Sequence, residues 1–137
     1  GKHGYSILNP AAQAGSIPLA IHPAMKFTGT SSDTARIRES YFAVSAPSVA
    51  LPIAQALVIE MGAEPITIAE ENRAQYFEAI SVASSFSSMI VNQSIGLLEE
   101  IGIEPAASLL APLIRSSVEV ALSQGHQPID PTELLDN

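Results

Sequence analysis

The residue of this chain best placed to do chemistry is His22. It follows the apolar run Ile17-Pro18-Leu19-Ala20-Ile21 and is followed at once by Pro23. An unperturbed imidazole titrates near neutrality, so a histidine where a buried strand meets a loop can serve as acid, base or polarising group. A single histidine beside an apolar strand is more often a hydrogen-bonded structural residue, and both roles stay open. Lys26 comes four positions on, followed by the hydroxyl-rich loop Thr28-Gly29-Thr30-Ser31-Ser32-Asp33. Its ordinary reading is a solvated loop lysine; an anion contact shared with Thr28, Thr30 and Ser31 is the alternative. Further along, Ser81, Ser84, Ser85, Ser87 and Ser88 form a second hydroxyl group. No histidine stands near them in the sequence, so a serine nucleophile has no visible base. Close helix packing accounts for such small residues, with hydroxyls bonding back to the previous turn; a polar cleft lining is the other possibility. The histidines at 3, 22 and 126 lack metal-ligand spacing, and no metal site is expected.

The bulk composition narrows the classes of partner. Six basic against fourteen acidic residues give a net charge of −8. Nonspecific binding to nucleic acid or to anionic lipid needs the opposite sign. The chain is 47% apolar and 15% charged over 137 residues, which suits a folded domain with its own core. It has no cysteine, so thiol chemistry and cysteine-based metal sites are excluded. No apolar run is read as long enough to span a membrane, no signal-peptide pattern is present, and a cytoplasmic location is expected. The chain opens Gly1-Lys2-His3-Gly4-Tyr5 without an initiator Met, as a fragment of a longer protein would.

Several elements must position these residues. Residues 5–14 read as the end of a helix stopped by Gly15. Residues 17–21 read as a short buried strand, limited by Pro18 to an edge or a strand start. Asp33 is expected to cap a short helix through Ile37. Tyr41-Phe42-Ala43-Val44 is the second strand. Ser48 is the expected N-cap of a helix that tolerates Pro52 in its first turn, presents Ile53, Ala56, Leu57 and Met61 as its apolar face, and stops at Gly62. Residues 64–68 make a third strand. Strand, helix, strand in about thirty residues is a βαβ unit with parallel pairing and a right-handed crossover. From Glu70 to Ile101 the chain has no proline, and apolar residues recur at three, four and seven, so one long helix is expected. A further helix follows from Pro105 to Gln124, with a kink at Pro112. The tail from His126 is expected to be a loop and a short terminal turn.

The segments "IPLAIHPAMKFTG", "YFAVSA" and "ALVIEMGAEPITIAEENRAQYFEA" resemble bacterial proteins that join a Rossmann-like NADP-binding domain to a helical domain of unknown function. Such helical domains are similar to those of 6-phosphogluconate dehydrogenase and ketopantoate reductase. The resemblance covers about residues 1–125. It implies an α+β, mostly helical fold: a partial Rossmann-like βαβ segment at 1–69, then a long-helix bundle domain of the 6-phosphogluconate dehydrogenase C-terminal type at 70–137. It further implies that His22 lies near the nicotinamide at a strand's carboxyl end, as the catalytic candidate. Pro23, Lys26, Thr28, Tyr76 and Ser85 would then line the substrate and cofactor cleft. Relatives tend to carry Tyr-His early in the long helix and an asparagine about eight residues later; this chain has Tyr76-Phe77 and Ser85.

The expected function is therefore part of an NAD(P)-dependent oxidoreductase of a small carbonyl or hydroxy-acid substrate. NADP or NAD would be the cofactor of the intact parent. The phosphate-binding motif G-x-G-x-x-G is absent from this sequence, so no cofactor is expected on this chain alone, which should be inactive by itself. The alternative is a non-catalytic homodimeric helical module that keeps the family fold. Either way a homodimer through helix 70–101 is expected, because that helix is apolar on more than one side.

Overall fold

The computed structural model describes residues 1–128, and the expected turn in the last nine residues lies outside them. The chain divides into two compact units, Gly1–Phe86 and Ser87–Asn137. The architecture is α+β and mostly helical, with one small sheet and one long helix.

The first unit is organised on the strand Tyr41–Ser45. This central strand, β2, lies between β1 (Ala20–Pro23) and β3 (Glu64–Thr67). It pairs parallel with β3, through the crossover helix α3 (Leu51–Glu60), as the strand–helix–strand pattern requires. It pairs antiparallel with β1, in the register Ile21↔Val44, His22↔Ala43 and Pro23↔Phe42. Strand side chains alternate between faces. Phe42 and Val44 pack with Ala54 and Val58 of α3 on one face, and Ile21 joins them there. His22 and Ala43 therefore look the other way. Ala43 is also fully buried, so the sheet is covered on both faces at this point.

Helix α3 begins at Leu51, three residues after the expected Ser48 cap, because residues 48–50 form a turn that hydrogen-bonds to the Pro47 carbonyl. Its core face is also rotated from the expected one. Ala54 and Val58 are buried, whereas Ile53, Leu57 and Met61 are 47%, 42% and 47% exposed. The helix is apolar around most of its girth, so periodicity admits two faces. The sheet selects the one where the small Ala54 permits close approach. Gly62, at φ +86°, ends α3 as expected, with Ala63 N–H donating to the Val58 carbonyl in a Schellman-type closure.

Other boundaries shift by a few residues. The expected helix at 5–14 is a 3-10 turn, Tyr5–Leu8, followed by α1, Asn9–Gln13. The first strand lies at 20–23 and not at 17–21, so His22 and Pro23 are strand residues. β3 stops at Thr67, where Ile68 N–H still donates to the Val44 carbonyl. α2 spans Ser32–Ile37. Asp33 does not cap it; its carboxylate points back into the preceding loop.

The long helix expected at 70–101 opens with a 3-10 turn, Glu70–Asn72, and continues as α4, Arg73–Glu100. Its 28 residues span about 42 Å. In the second unit, Gly102 (φ +85°) closes α4 and α5 runs Ala106–Gln124 unbroken through Pro112. Pro105 stands just before this helix and not within its first turn. By length and composition α5 could cross a membrane, contrary to the expectation that no segment would. Its alanines and leucines keep it apolar without an uninterrupted apolar run, and Arg115 and Glu119 lie within it.

Val58→Ala removes two methyl groups from a fully buried site between helix and sheet. It should cost about 2–3 kcal/mol. Val49→Ala, at a residue 86% exposed, should stay within about 0.5 kcal/mol. Urea unfolding of the two variants checks both values.

Candidate functional site

On the face of the sheet away from α3, β1 meets the start of α4. His22 Nδ1 lies 2.8 Å from the Tyr76 hydroxyl, and the two rings stand edge to face at 5.6 Å and 83°. The residues are 54 apart in sequence. Strand alternation aims His22 at this face, and Tyr76 sits one turn into α4. His22 is half-buried, and burial first, then the Gly1 ammonium and Arg73, hold its pKa below the ordinary histidine value. A neutral ring can either accept the Tyr76 proton at Nδ1 or donate to the phenol oxygen, depending on the tautomer. Burial raises the Tyr76 pKa, with Arg73 opposing it, so the phenol keeps its proton at neutral pH.

The carboxyl-end rule that places ligands on open α/β sheets does not apply to β1. Running antiparallel, β1 carries its carboxyl end back toward the amino end of β2, and His22 pairs with Ala43 near the middle of that strand. What brings His22 to α4 is its face of the sheet.

Arg73, the first residue of α4, is the charged member of the group. It is 3% exposed. Its guanidinium carbon lies 5.9 Å from the Tyr76 ring centroid, within cation–π range. Nε and Nη1 are buried and have no hydrogen-bond partner. An unmet buried donor costs about 1–3 kcal/mol, and a cation at a helix N-terminus also opposes the helix dipole. Burial lowers the Arg73 pKa, while Tyr76 and Glu70 act in the other direction.

The nearest natural counter-ion, Glu70, has another commitment. Its carboxylate accepts the backbone N–H groups of Tyr5 (3.1 Å) and Ser6 (2.9 Å). Burial raises its pKa, but the Ser6 and Tyr5 hydrogen bonds and Arg73 outweigh this and the net shift is downward. A side chain at Gly4 would overlap this carboxylate, and one at Gly1 would come within 3.0 Å of His22 Nε2. Residues 1–6 thus lie over the corner formed by His22, Glu70, Arg73 and Tyr76.

The remaining sequence candidates are placed apart from that corner. Pro23 ends β1 opposite Phe42. Lys26 is exposed, in a loop folded around Asp33. The Thr28 hydroxyl and the Thr28 and Gly29 N–H groups all donate to Asp33, at 2.8–3.1 Å, and Arg36 pairs with it at 3.3 Å. The Thr28 hydroxyl bond is the largest cause of the depressed Asp33 pKa. Ser85 is exposed on α4, about 13 Å along the helix from Tyr76. Among the described residues no cluster of three or more potential metal ligands occurs. Sequence reasoning passed over Arg73 and read Glu70 only as the start of the long helix. The available signal was Glu70-x-x-Arg73-x-x-Tyr76: one face of a helix start, with a cation where a cation is least favoured.

The family described as Domain of unknown function (DUF2520) matches residues 40–129, about two thirds of the chain, and the chain belongs to that family. It is similar in fold to the crystal structure of protein TM1727 from Thermotoga maritima, with a TM-score of 0.64 and 20% identity. That similarity covers 74% of this chain and 40% of the other, so the chain spans less than half the length of this relative. No curated protein matches it significantly.

Because the folded pKa of His22 is depressed, the unfolded chain binds its proton more readily. The stability contributed by His22 should then be complete above the ordinary histidine value, about 6.5, and fall as pH drops below it, lower than the decline that the depressed Gly1 ammonium starts at higher pH. His22→Gln should flatten the stability profile in that window. Glu70 and Asp33 are depressed carboxylates and should be felt only lower, as pH falls through the carboxylate range. Thermal unfolding from pH 7.5 to 4 separates these windows.

Proposed function

We propose that this member of the DUF2520 family is the substrate-holding part of an NAD(P)-dependent oxidoreductase acting on a small carbonyl or hydroxy-acid compound. The observation that carries the reading is the His22–Tyr76 pair at 2.8 Å. A neutral imidazole bonded to a protonated phenol can pass a proton to or from a substrate oxygen at His22 Nε2, with the phenol holding the ring's orientation at Nδ1. The overall likeness to TM1727 supports the fold under this reading, and the resemblance to Rossmann-like NADP proteins supports the reaction class.

The sequence offers the cofactor's phosphates no G-x-G-x-x-G turn. The turn after β2 reads Ala46-Pro47-Ser48-Val49-Ala50 and contains no glycine. A pyrophosphate approached by backbone N–H groups needs glycines there, since any Cβ blocks the approach. Dinucleotide binding is accordingly assigned to other parts of the whole protein, and this chain contributes substrate contacts and proton handling. The activity, cofactor and substrate class are proposed for that whole protein.

The test is turnover by the intact parent with NADPH and a panel of small oxo and hydroxy acids. His22→Ala should lower kcat by about a hundredfold or more, with the melting temperature changed by only a few degrees. Full activity in that variant would overturn the reading. Micromolar binding of NADPH by this 137-residue chain alone would overturn the division of labour.

A second reading, a non-catalytic homodimeric module, is favoured by the outer surface of α4. Phe86, Met89, Ile90 and Leu97 are 56%, 64%, 62% and 59% exposed, a large apolar surface for a chain standing alone. Phe77 and Ser85, where the resemblance implies a histidine and an asparagine, point the same way. Dimerisation through α4 suits both readings, and catalysis separates them. Sedimentation at micromolar concentration should give a dimer that Phe86→Glu splits and Glu99→Lys does not. A 14.4 kDa monomer would remove the dimer from both.

A further inference from the structure

The 2.8 Å contact between the Tyr76 hydroxyl and His22 Nδ1 has room for one proton. Tyr76 brings that proton, because burial keeps the phenol protonated at neutral pH. Among the described residues the Tyr76 hydroxyl makes no other hydrogen bond. If His22 carried its proton on Nδ1, the phenol oxygen would accept it, and the phenol's own proton would be left without a partner in a half-buried place, which folds avoid. The neutral ring that fits accepts from Tyr76 at Nδ1 and carries its proton on Nε2. Arg73 favours the same arrangement. Its guanidinium carbon stands 5.9 Å from the Tyr76 ring centroid, where a cation is attracted to the electron density of the ring. That density rises as the phenol shares its proton with Nδ1, and it falls when the phenol oxygen accepts. Among the described residues no carboxylate forms an ion pair with Arg73. Glu70, three residues earlier, is committed to the Tyr5 and Ser6 N–H groups. The Arg73 charge therefore reaches the Tyr76 ring without a paired anion to cancel it.

From this geometry we infer that Tyr76 and Arg73 make His22 a proton donor: Tyr76 resupplies the ring at Nδ1, and Arg73 is the positioning residue whose charge stabilises the phenolate left behind. The inference deepens the oxidoreductase reading and rests on it only for the substrate. The step is a proton transfer alone. A substrate oxygen that carries negative charge takes the proton from His22 Nε2, the N–H bond breaking as the O–H bond forms. Nδ1 takes the Tyr76 proton in turn. The imidazole ends neutral with its proton on Nδ1, and the negative charge ends on the Tyr76 oxygen, in the field of Arg73. In the opposite direction the same two protons return. The charges acting on the pair are the Gly1 ammonium on His22 and Arg73 on both rings, while Glu70 acts on Arg73. An arginine paired with a carboxylate would lose most of this effect on Tyr76, so the missing partner suits the role.

The experiment uses this chain without any ligand. Long-range ¹H–¹⁵N correlation on ¹⁵N-labelled histidine at neutral pH should show His22 protonated on Nε2 and bare on Nδ1. The acidity of Tyr76 is read by ¹⁹F NMR on the chain carrying 3-fluorotyrosine, with Tyr76→Phe identifying its signal. Arg73→Met should lower the Tyr76 acid constant by about threefold to about a hundredfold, the effect of one charge at 5.9 Å for an effective dielectric constant between about 80 and about 20. Arg73→Lys, which keeps the charge, should recover most of that loss. Arg73→Gln serves as the neutral variant where Arg73→Met fails to fold. A proton on His22 Nδ1 in the unmodified chain would overturn the proposal without any variant. So would a Tyr76 acid constant that changes by less than about twofold when the charge is removed. The expected tautomer and acidity, with no turnover in the parent, would sink the oxidoreductase reading and leave the proton relay standing. Turnover in the parent, with His22 protonated on Nδ1, would do the reverse.

Discussion

The hydrogen bond between His22 and Tyr76 is the contact on which the candidate site depends. It joins a strand residue to a helix residue 54 positions away. The Arg73 contact on the Tyr76 ring is local, but the pairing itself is set by tertiary structure. His22 is set by the antiparallel register of β1 on β2, which turns Ile21 into the core and His22 away from it. Tyr76 is set by the βαβ unit, because the chain leaving β3 has five residues in which to start α4. The Ser45 hydroxyl donates to the Ile68 carbonyl and fixes that exit. A fault in the packing of Val44 against Ala54 and Val58 would therefore reach the site through two routes.

Arg73 is the costly part of this corner. In a chain of net charge −8, carboxylates are plentiful, yet among the described residues none forms an ion pair with this enclosed cation. Stability alone gives no reason for the arrangement, since an apolar residue of similar size would avoid both the desolvation and the dipole penalty. Strained or unsatisfied groups that persist in a fold tend to mark places with a functional role. The Asp33 loop offers the contrast. There three donors from Thr28 and Gly29, with Arg36, satisfy one carboxylate completely, and the result reads as a structural staple.

Much of the fold was legible because local signals agreed with one another. The βαβ unit followed from Tyr41–Val44, the helix ended by Gly62, and the short strand after it. Gly62 and Gly102 both take positive φ where a helix had to stop. Two features were not legible. The direction of β1 depends on how a short strand docks, and no residue of 17–23 encodes that. The core face of α3 was ambiguous because apolar residues surround that helix, and only the sheet chooses between faces. At the site, His22 was visible from its place after an apolar run, and Tyr76 through a family resemblance. Their pairing was not, since sequence separation hides it. Arg73 was overlooked because an arginine at the start of a long helix reads as surface charge until its burial is known.

A double-mutant cycle on His22 and Tyr76 tests most directly whether the corner is a built unit. His22→Ala, Tyr76→Phe and the double variant would be unfolded in urea at pH 7.5, where the imidazole is neutral. The contact described here predicts a coupling energy of about 0.5–1.5 kcal/mol beyond the sum of the single changes. Strict additivity of the two substitutions would mean that strand and helix meet there without acting on each other, and would contradict the account.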